Sequence, residues 1–171
     1  MFKAELTVED ARAGMLKLQP KIERYADLIV RKGVNVEAGQ EVVIQAPVEV
    51  APFVRTLVAR AYAAGAGHVT VIWSDDEITR LTYENVEASW FETVPSWQRE
   101  QLDSLAEGGA CFIFVEGADP EALKGIDPAK PAAASKARNT QCKAYRRGMD
   151  FNINPWCIAG APVVAWARRV Y

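Results

Sequence analysis

The stretch "EVVIQAPVEVAPFVRTLVARAYAAGAGHVTVIW", Glu41 to Trp73, decides the fold. It opens on the apolar run "EVVIQA" (Glu41 to Ala46), the pattern of a strand whose two faces are both covered. A helical stripe follows. Phe53, Leu57, Val58 and Ala61 recur at three- and four-residue spacing, and Pro52 suits the first turn, where its missing N–H costs no hydrogen bond. Gly65 and Gly67 stop the helix, because glycine enters the left-handed cap conformation without a Cβ penalty. "HVTVIW" (His68 to Trp73) is the next strand. Strand, helix, strand in this order predicts a parallel pair joined by a right-handed crossover.

Upstream, Ile22, Tyr25, Ala26, Ile29 and Val30 recur at helical spacing, with Pro20 suited to the first turn and Gly33 to the stop. Residues 1–19 form a polar leader, helical through "TVED", where Thr7 is the N-cap and Asp10 replaces the usual Glu or Gln of a capping box. Downstream, helices are expected over Asp75 to Val86 and Ser96 to Glu107, and "ACFIFV" (Ala110 to Val115) is a third buried strand. Asp119-Pro120 and Asp127-Pro128 each pair an N-cap acid with a proline at the first helical position. A helix is expected from Pro131 to Arg147. "FNINPWCIAGAP" (Phe151 to Pro162) reads as an irregular fourth strand, broken by Pro155 and therefore at an edge or a bulge. "VVAWARRVY" then begins a helix whose apolar, uncapped residues Val163, Val164, Trp166, Ala167 and Val170 point to a domain boundary at Tyr171. The architecture is an open, mostly parallel α/β sheet of four or five strands with helices on both faces. Such sheets place ligands at the carboxyl ends of their strands.

The bulk numbers exclude several classes. A chain of 171 residues carrying 20 basic and 22 acidic side chains, net charge -2, has no electrostatic footprint for nucleic acid or an anionic membrane. No apolar stretch approaches the roughly 20 residues that span a bilayer. The charged N-terminus, "MFKAELTVEDARAGM", lacks the apolar segment of a signal peptide, so a cytoplasmic location is the default. Cys111, Cys142 and Cys157 form no C-x-x-C or Cys/His spacing and read as buried thiols acting as small hydrophobes.

The acidic triplet after the second strand, "SDDE" (Ser74 to Glu77), admits two readings. As S-x-x-E it is a capping box, with the Ser74 hydroxyl on the Glu77 amide and Asp75 and Asp76 at the positive end of the helix dipole. As a metal centre it needs three or more ligands, usually including imidazole. The single histidine, His68, begins the strand, and at about 3.3 Å per residue it stands roughly 15 Å away. The cap reading is preferred. Lys136, Arg138, Lys143, Arg146 and Arg147 read as a solvated helix face, and Trp90, Trp97, Trp156 and Trp166 as core or interface anchors. No G-x-S-x-G and no Cys–His pair is present.

The order of motifs from Pro20 to Tyr171 carries a resemblance. "KIERYADLIVRKGVNVEAGQEVVIQAPVEVAPFVRTLVARAYAAGAGHVTVIWSDDEITRLTYENV", then "GIDPAK" with "AASKAR", and then "NPWCIAGAPVVAWARRVY" resemble the N-terminal domain of the thermophilic-type metallo-aminopeptidases, the aminopeptidase T, aminopeptidase S and PepS group. The resemblance implies that residues 20–171 are the N-terminal α/β domain of a longer, two-domain peptide hydrolase. That enzyme would remove N-terminal residues with a pair of divalent metal ions, zinc or cobalt, which polarise the scissile carbonyl and lower the pKa of a bridging water. The family's ligands lie in a C-terminal catalytic domain, so no metal and no catalytic residue is assigned to any position of this chain. The implied partners are peptide substrates, that C-terminal domain and a second copy in a homodimer. Trp73, Ser74, Asp75 and Asp76, together with Asn152 and Trp156, are the candidates for facing the substrate cavity. Two alternatives stand beside this one. One is a stand-alone α/β binding module; the other is a nucleotide-binding domain, which would need phosphate-binding amides where "QAPVEVAP" offers prolines.

Overall fold

The computed structural model describes residues 8–117, 119–161 and 163, with residues 8–17 as helical backbone. Its frame is a four-stranded, all-parallel sheet in the order β2-β1-β3-β4, formed by β1 (Glu41–Pro47), β2 (His68–Ser74), β3 (Cys111–Glu116) and β4 (Trp156–Gly160). The six α-helices of the described residues are α1 (Val8–Leu28), α2 (Ala51–Ala63), α3 (Asp76–Asn85), α4 (Ser96–Glu107), α5 (Ala129–Gln141) and α6 (Lys143–Asp150). The α/β architecture expected from the strand–helix–strand pattern is present, with four strands.

Alternation along the central strands divides the core. Val42, Ile44 and Ala46 of β1 and Cys111, Ile113 and Val115 of β3 pack with Ala26, Ile29 and Val30 and with Val54, Leu57 and Ala61 of α2. On the opposite face Val43 and Phe112 pack with Leu102 and Ala106 of α4, Ala137 of α5 and Tyr145 of α6. Each fully buried Val, Leu, Ile or Phe contributes roughly 1.5–3 kcal/mol, and a parallel sheet needs such cover on both faces. The continuous apolar character of "EVVIQA" and "CFIFV" is this two-sided burial seen in sequence.

Five local expectations change. First, α1 runs through Pro20 instead of starting there and passes into a π-helical turn, Ile29–Gly33, closed by the Val34 amide on the Ile29 carbonyl at 3.0 Å. Gly33 is its last residue, and a Cβ there would stand 3.0 Å from Cys157 Sγ, a tertiary reason for glycine at this position. Second, the expected Pro131-to-Arg147 helix is two helices, broken at Cys142 (φ -85, ψ 73), because the Asp103 carboxylate of α4 accepts the Tyr145 amide at 2.9 Å and starts α6 afresh. Third, Asp119 heads a turn and no helix: its carboxylate takes the Glu121 amide and its carbonyl the Ala122 amide. Asp127 does cap, receiving the Ala129 amide at 2.9 Å. Fourth, Trp90 and Trp97 are not core, being 51% and 67% exposed. Fifth, β4 begins at Trp156, so Pro155 precedes the strand instead of breaking it. It lies at the sheet edge, as a proline-bearing segment requires. The Thr7 cap, Trp166 and the helix expected over "VVAWARRVY", apart from its first residue Val163, lie outside the described residues.

Candidate functional site

The sheet order fixes where the strand-end crevice lies. The order of strand addition reverses between the parallel neighbours β1 and β3, with β2 added on one side and β4 on the other, so the topological switch point is at the carboxyl ends of β1 and β3. The loop after β2 borders it. Ser74 is the last residue of that strand, in register with Pro47, and Trp73 is in register with Ala46. Trp73 is 45% exposed and Ser74 is exposed, so both present side chains to solvent at this end of the sheet.

The acidic triplet does start a helix, but one residue later than the capping-box reading had it. Pairing with β1 holds Ser74 in the strand, and Asp75 is the N-cap (φ -142, ψ 123), its carboxylate accepting the Ile78 amide at 2.9 Å. The Ser74–Glu77 box is therefore replaced by an Asp75 cap reinforced by the Thr79 hydroxyl, which donates to the Asp75 carbonyl at 2.7 Å. Asp76 has a separate use. Its carboxylate accepts the Asp119 amide at 2.8 Å, joining the start of α3 to the loop after β3 across the end of the intervening β1. The same lashing continues along α3. Arg80 donates to the Ala122 and Lys124 carbonyls at 2.9 and 3.0 Å, and Lys130 donates to the Tyr83 and Val86 carbonyls at 2.6 and 2.8 Å. Sequence reasoning missed Arg80 and Lys130, because both act on backbone carbonyls more than forty positions away, which leaves no local signal.

Asn152 and Trp156 stand elsewhere. Asn152 precedes β4 and Trp156 is its first residue, paired with Phe112 near the start of β3, so both sit at the amino end of the sheet while Trp73 to Asp76 sit at the carboxyl end. The six candidates for facing the cavity are therefore not brought to one end of the sheet. Asn152 is in the left-handed region (φ 50), which Asn tolerates, and its side-chain oxygen accepts the Trp156 indole N–H at 3.1 Å.

His68 is likewise at the amino end. Its Nδ1 lies 2.9 Å from Glu41 Oε1, which also receives the Thr70 hydroxyl at 2.7 Å. Burial alone would raise the Glu41 pKa, but the hydrogen bonds from His68 and Thr70 outweigh it and hold the carboxyl below its ordinary value. One imidazole and one carboxylate do not make a metal centre, and among the described residues no group of three or more His, Cys, Asp or Glu could hold an ion. The described residues therefore do not fit a hydrolytic metal.

The thiols are equally unsuited to nucleophilic work. Cys111 and Cys142 are buried and Cys157 is half-buried, and burial pushes the Cys111 thiol from 9.0 up to about 12. Since the folded value is the higher one, the stability contributed by this neutral thiol is complete below about pH 9 and drains away as pH rises toward 12. Accordingly, the urea midpoint of the wild type should fall more steeply between pH 9 and 12 than that of Cys111→Ala. Parallel curves would show that Cys111 is not buried as described.

The fold is thus that of a doubly wound, parallel α/β domain, and no helix among the described residues is long and apolar enough to cross a membrane. The chain belongs to the thermophilic metalloprotease (M29) family, whose model matches residues 18–171. It is similar to aminopeptidase AmpS of Bacillus subtilis (strain 168), with 41% identity over 151 residues that cover 88% of this chain and 37% of that protein. It is also similar to aminopeptidase T of Thermus thermophilus, with 35% identity over 150 residues covering 88% of this chain and 37% of that one. Among solved structures, wild-type AmpT from Thermus thermophilus superposes with a TM-score of 0.81 at 34% identity, covering 90% of this chain and 39% of that one. The chain thus spans well under half the length of the curated relatives it matches.

Proposed function

We propose that residues 20–171 are the N-terminal, cavity-forming domain of a metal-dependent aminopeptidase, preceded by a helical leader over residues 1–19. In this reading the whole protein hydrolyses N-terminal residues from peptides, using a zinc or cobalt pair held in a C-terminal domain of the same polypeptide. It works as a cytoplasmic homodimer. The observation that carries the reading is the family match over residues 18–171, combined with relatives named as aminopeptidases of which this chain covers 37%.

Within that division of labour, the carboxyl end of the sheet is the substrate-facing part of this domain. Trp73 and Ser74 are the surfaces it offers, and Asp75 and Asp76 set the shape of the loop through their bonds to Ile78 and Asp119. Asn152 and Trp156, at the other end, would face the cavity only where the assembled protein folds around that end of the sheet.

The deciding experiment assays the complete gene product and the 171-residue chain on leucyl-anilide with Zn(II) or Co(II). Activity confined to the complete protein supports the proposal, and metal-dependent cleavage by the short chain overturns it. In the complete protein, Asp75→Ala should cost about 1 kcal/mol of stability, the usual worth of an N-cap carboxylate. Asp75→Ala combined with Asp76→Ala should also raise peptide KM. A stability loss with unchanged KM would remove the loop from the cavity wall.

A further inference from the structure

The sheet is not covered evenly. Parallel strands are ordinarily buried on both faces, because the crossovers that join them lay helices on either side. β4 departs from this. Its Ala159 is fully buried against the face packed by α2 and the end of α1, whereas on the other face Trp156 and Ile158 remain 40% and 61% exposed. The loop before β4 adds Phe151 and Ile153, 74% and 59% exposed, and is held beside Trp156 by the indole bond to Asn152. Phe114 continues the patch inward, meeting the Trp156 ring edge-to-face with centroids 6.3 Å apart. Helices α4, α5 and α6 cover Phe112 and stop short of this edge.

Four exposed large apolar side chains within eight residues, with half-buried Phe114 beside Trp156, exceed the singly scattered apolar exposure of an ordinary monomer surface. β4 also pairs only with β3 among the described residues, so its outer edge carries unpaired backbone groups. The occupant follows from chain length. This polypeptide covers 37% of the curated relatives and 39% of the solved structure it superposes on, so most of a relative-sized protein is additional chain. The uncovered face is an apolar surface that such chain could bury at the sheet edge.

From this we infer that the polypeptide outside these 171 residues packs on the β4 face, over Phe151, Ile153, Trp156, Ile158 and Phe114. The surface is an intramolecular interface, and the occupant is an apolar segment of the same chain. The inference rests on the reading of this chain as part of a longer protein. It is independent of that protein's being an aminopeptidase.

Hydroxyl-radical footprinting of the complete gene product tests it. Phe151, Trp156 and Ile158 should label at less than about a tenth of their rates in the urea-unfolded protein, where side chains as exposed as they are here would label at roughly half. Labelling at the higher rate overturns the inference. So does protection that disappears on dilution to monomer, because it assigns the face to a second copy. In the complete protein Ile158→Asp should raise Trp156 labelling at least about fivefold while the buried Phe112 stays protected. Unchanged Trp156 labelling counts against the inference, and if Phe112 also becomes reactive the wild-type footprint decides. A protein that shows the protection yet fails to cleave leucyl-anilide would retain this interface and lose the aminopeptidase reading.

Discussion

Asn154→Asp is expected to destabilise the protein by at least about 3 kcal/mol at neutral pH, the size associated with breaking a buried polar network. Asn154 is the buried polar side chain of the core, 2% exposed, and its amide nitrogen donates to the Ala106 carbonyl at 3.0 Å and the Ala110 carbonyl at 2.8 Å. With two carbonyls facing it, that atom must be the N–H₂ and not the oxygen. These bonds tie the segment before β4 to the end of α4 and the start of β3. A carboxylate of the same shape would set an acceptor and a charge against two acceptors. For a domain of this size the shift in Tm should be roughly 6–12 °C. The new carboxyl would have its folded pKa raised, so the penalty should shrink as pH falls and a proton becomes available to donate. Urea denaturation of both proteins at neutral and acidic pH checks the size and the sign together. A loss below about 1 kcal/mol, or one that grows on acidification, would contradict the bonding described.

Gly67→Ala should cost a comparable amount, about 3 kcal/mol, by a different route. A Cβ on Gly67 would collide with the Gly39 carbonyl oxygen and stand 2.8 Å from its carbon, and backbone cannot swing aside as a flexible side chain can. The two loops are locked by the Gly39 amide on the Gly65 carbonyl at 2.8 Å and the Gly67 amide on the Gln40 carbonyl at 2.9 Å. Pairing of β1 with β2 starts beside this lock, at Glu41 and His68. Relief of the clash therefore means giving up hydrogen bonds at the mouth of the sheet. Gly109→Ala is the calibration. It has positive φ (78) with nothing within 4 Å of the added methyl, so it should cost only the left-handed penalty of about 1–2 kcal/mol. Equal midpoints for the two variants would show that the loops separate freely.

The elements were legible where one physical signal governed them. Two-sided burial makes β1 and β3 apolar throughout, and the glycines after α2 mark its end, so these boundaries agree with the sequence to within a residue or so. α4 coincides with the expected Ser96-to-Glu107 segment. The failures are places where a partner distant in sequence decides a local outcome. Asp103 breaks the long helix at Cys142, strand pairing carries Ser74 past the position where it would have capped, and the exposed Trp90 and Trp97 look apolar in sequence whether or not anything covers them. The candidate site shows the same division. That the acids of "SDDE" start a helix was local knowledge; that Asp76 holds Asp119, or that Asn152 and Trp156 belong to the opposite end of the sheet, required the topology.

The strand order also sets a sequence of events in folding. β1 meets β2 across a short connection, with Val42 beside Val69, but meets β3 only after α3 and α4 have intervened, with Val42 beside Cys111. Closing the shorter loop costs less chain entropy, so the β1–α2–β2 unit is the natural nucleus, and β3 and then β4 dock on it later. During synthesis the nascent chain consequently holds an unsatisfied apolar strand flank until β3 leaves the ribosome, and β4, the last strand of the described residues, docks after it.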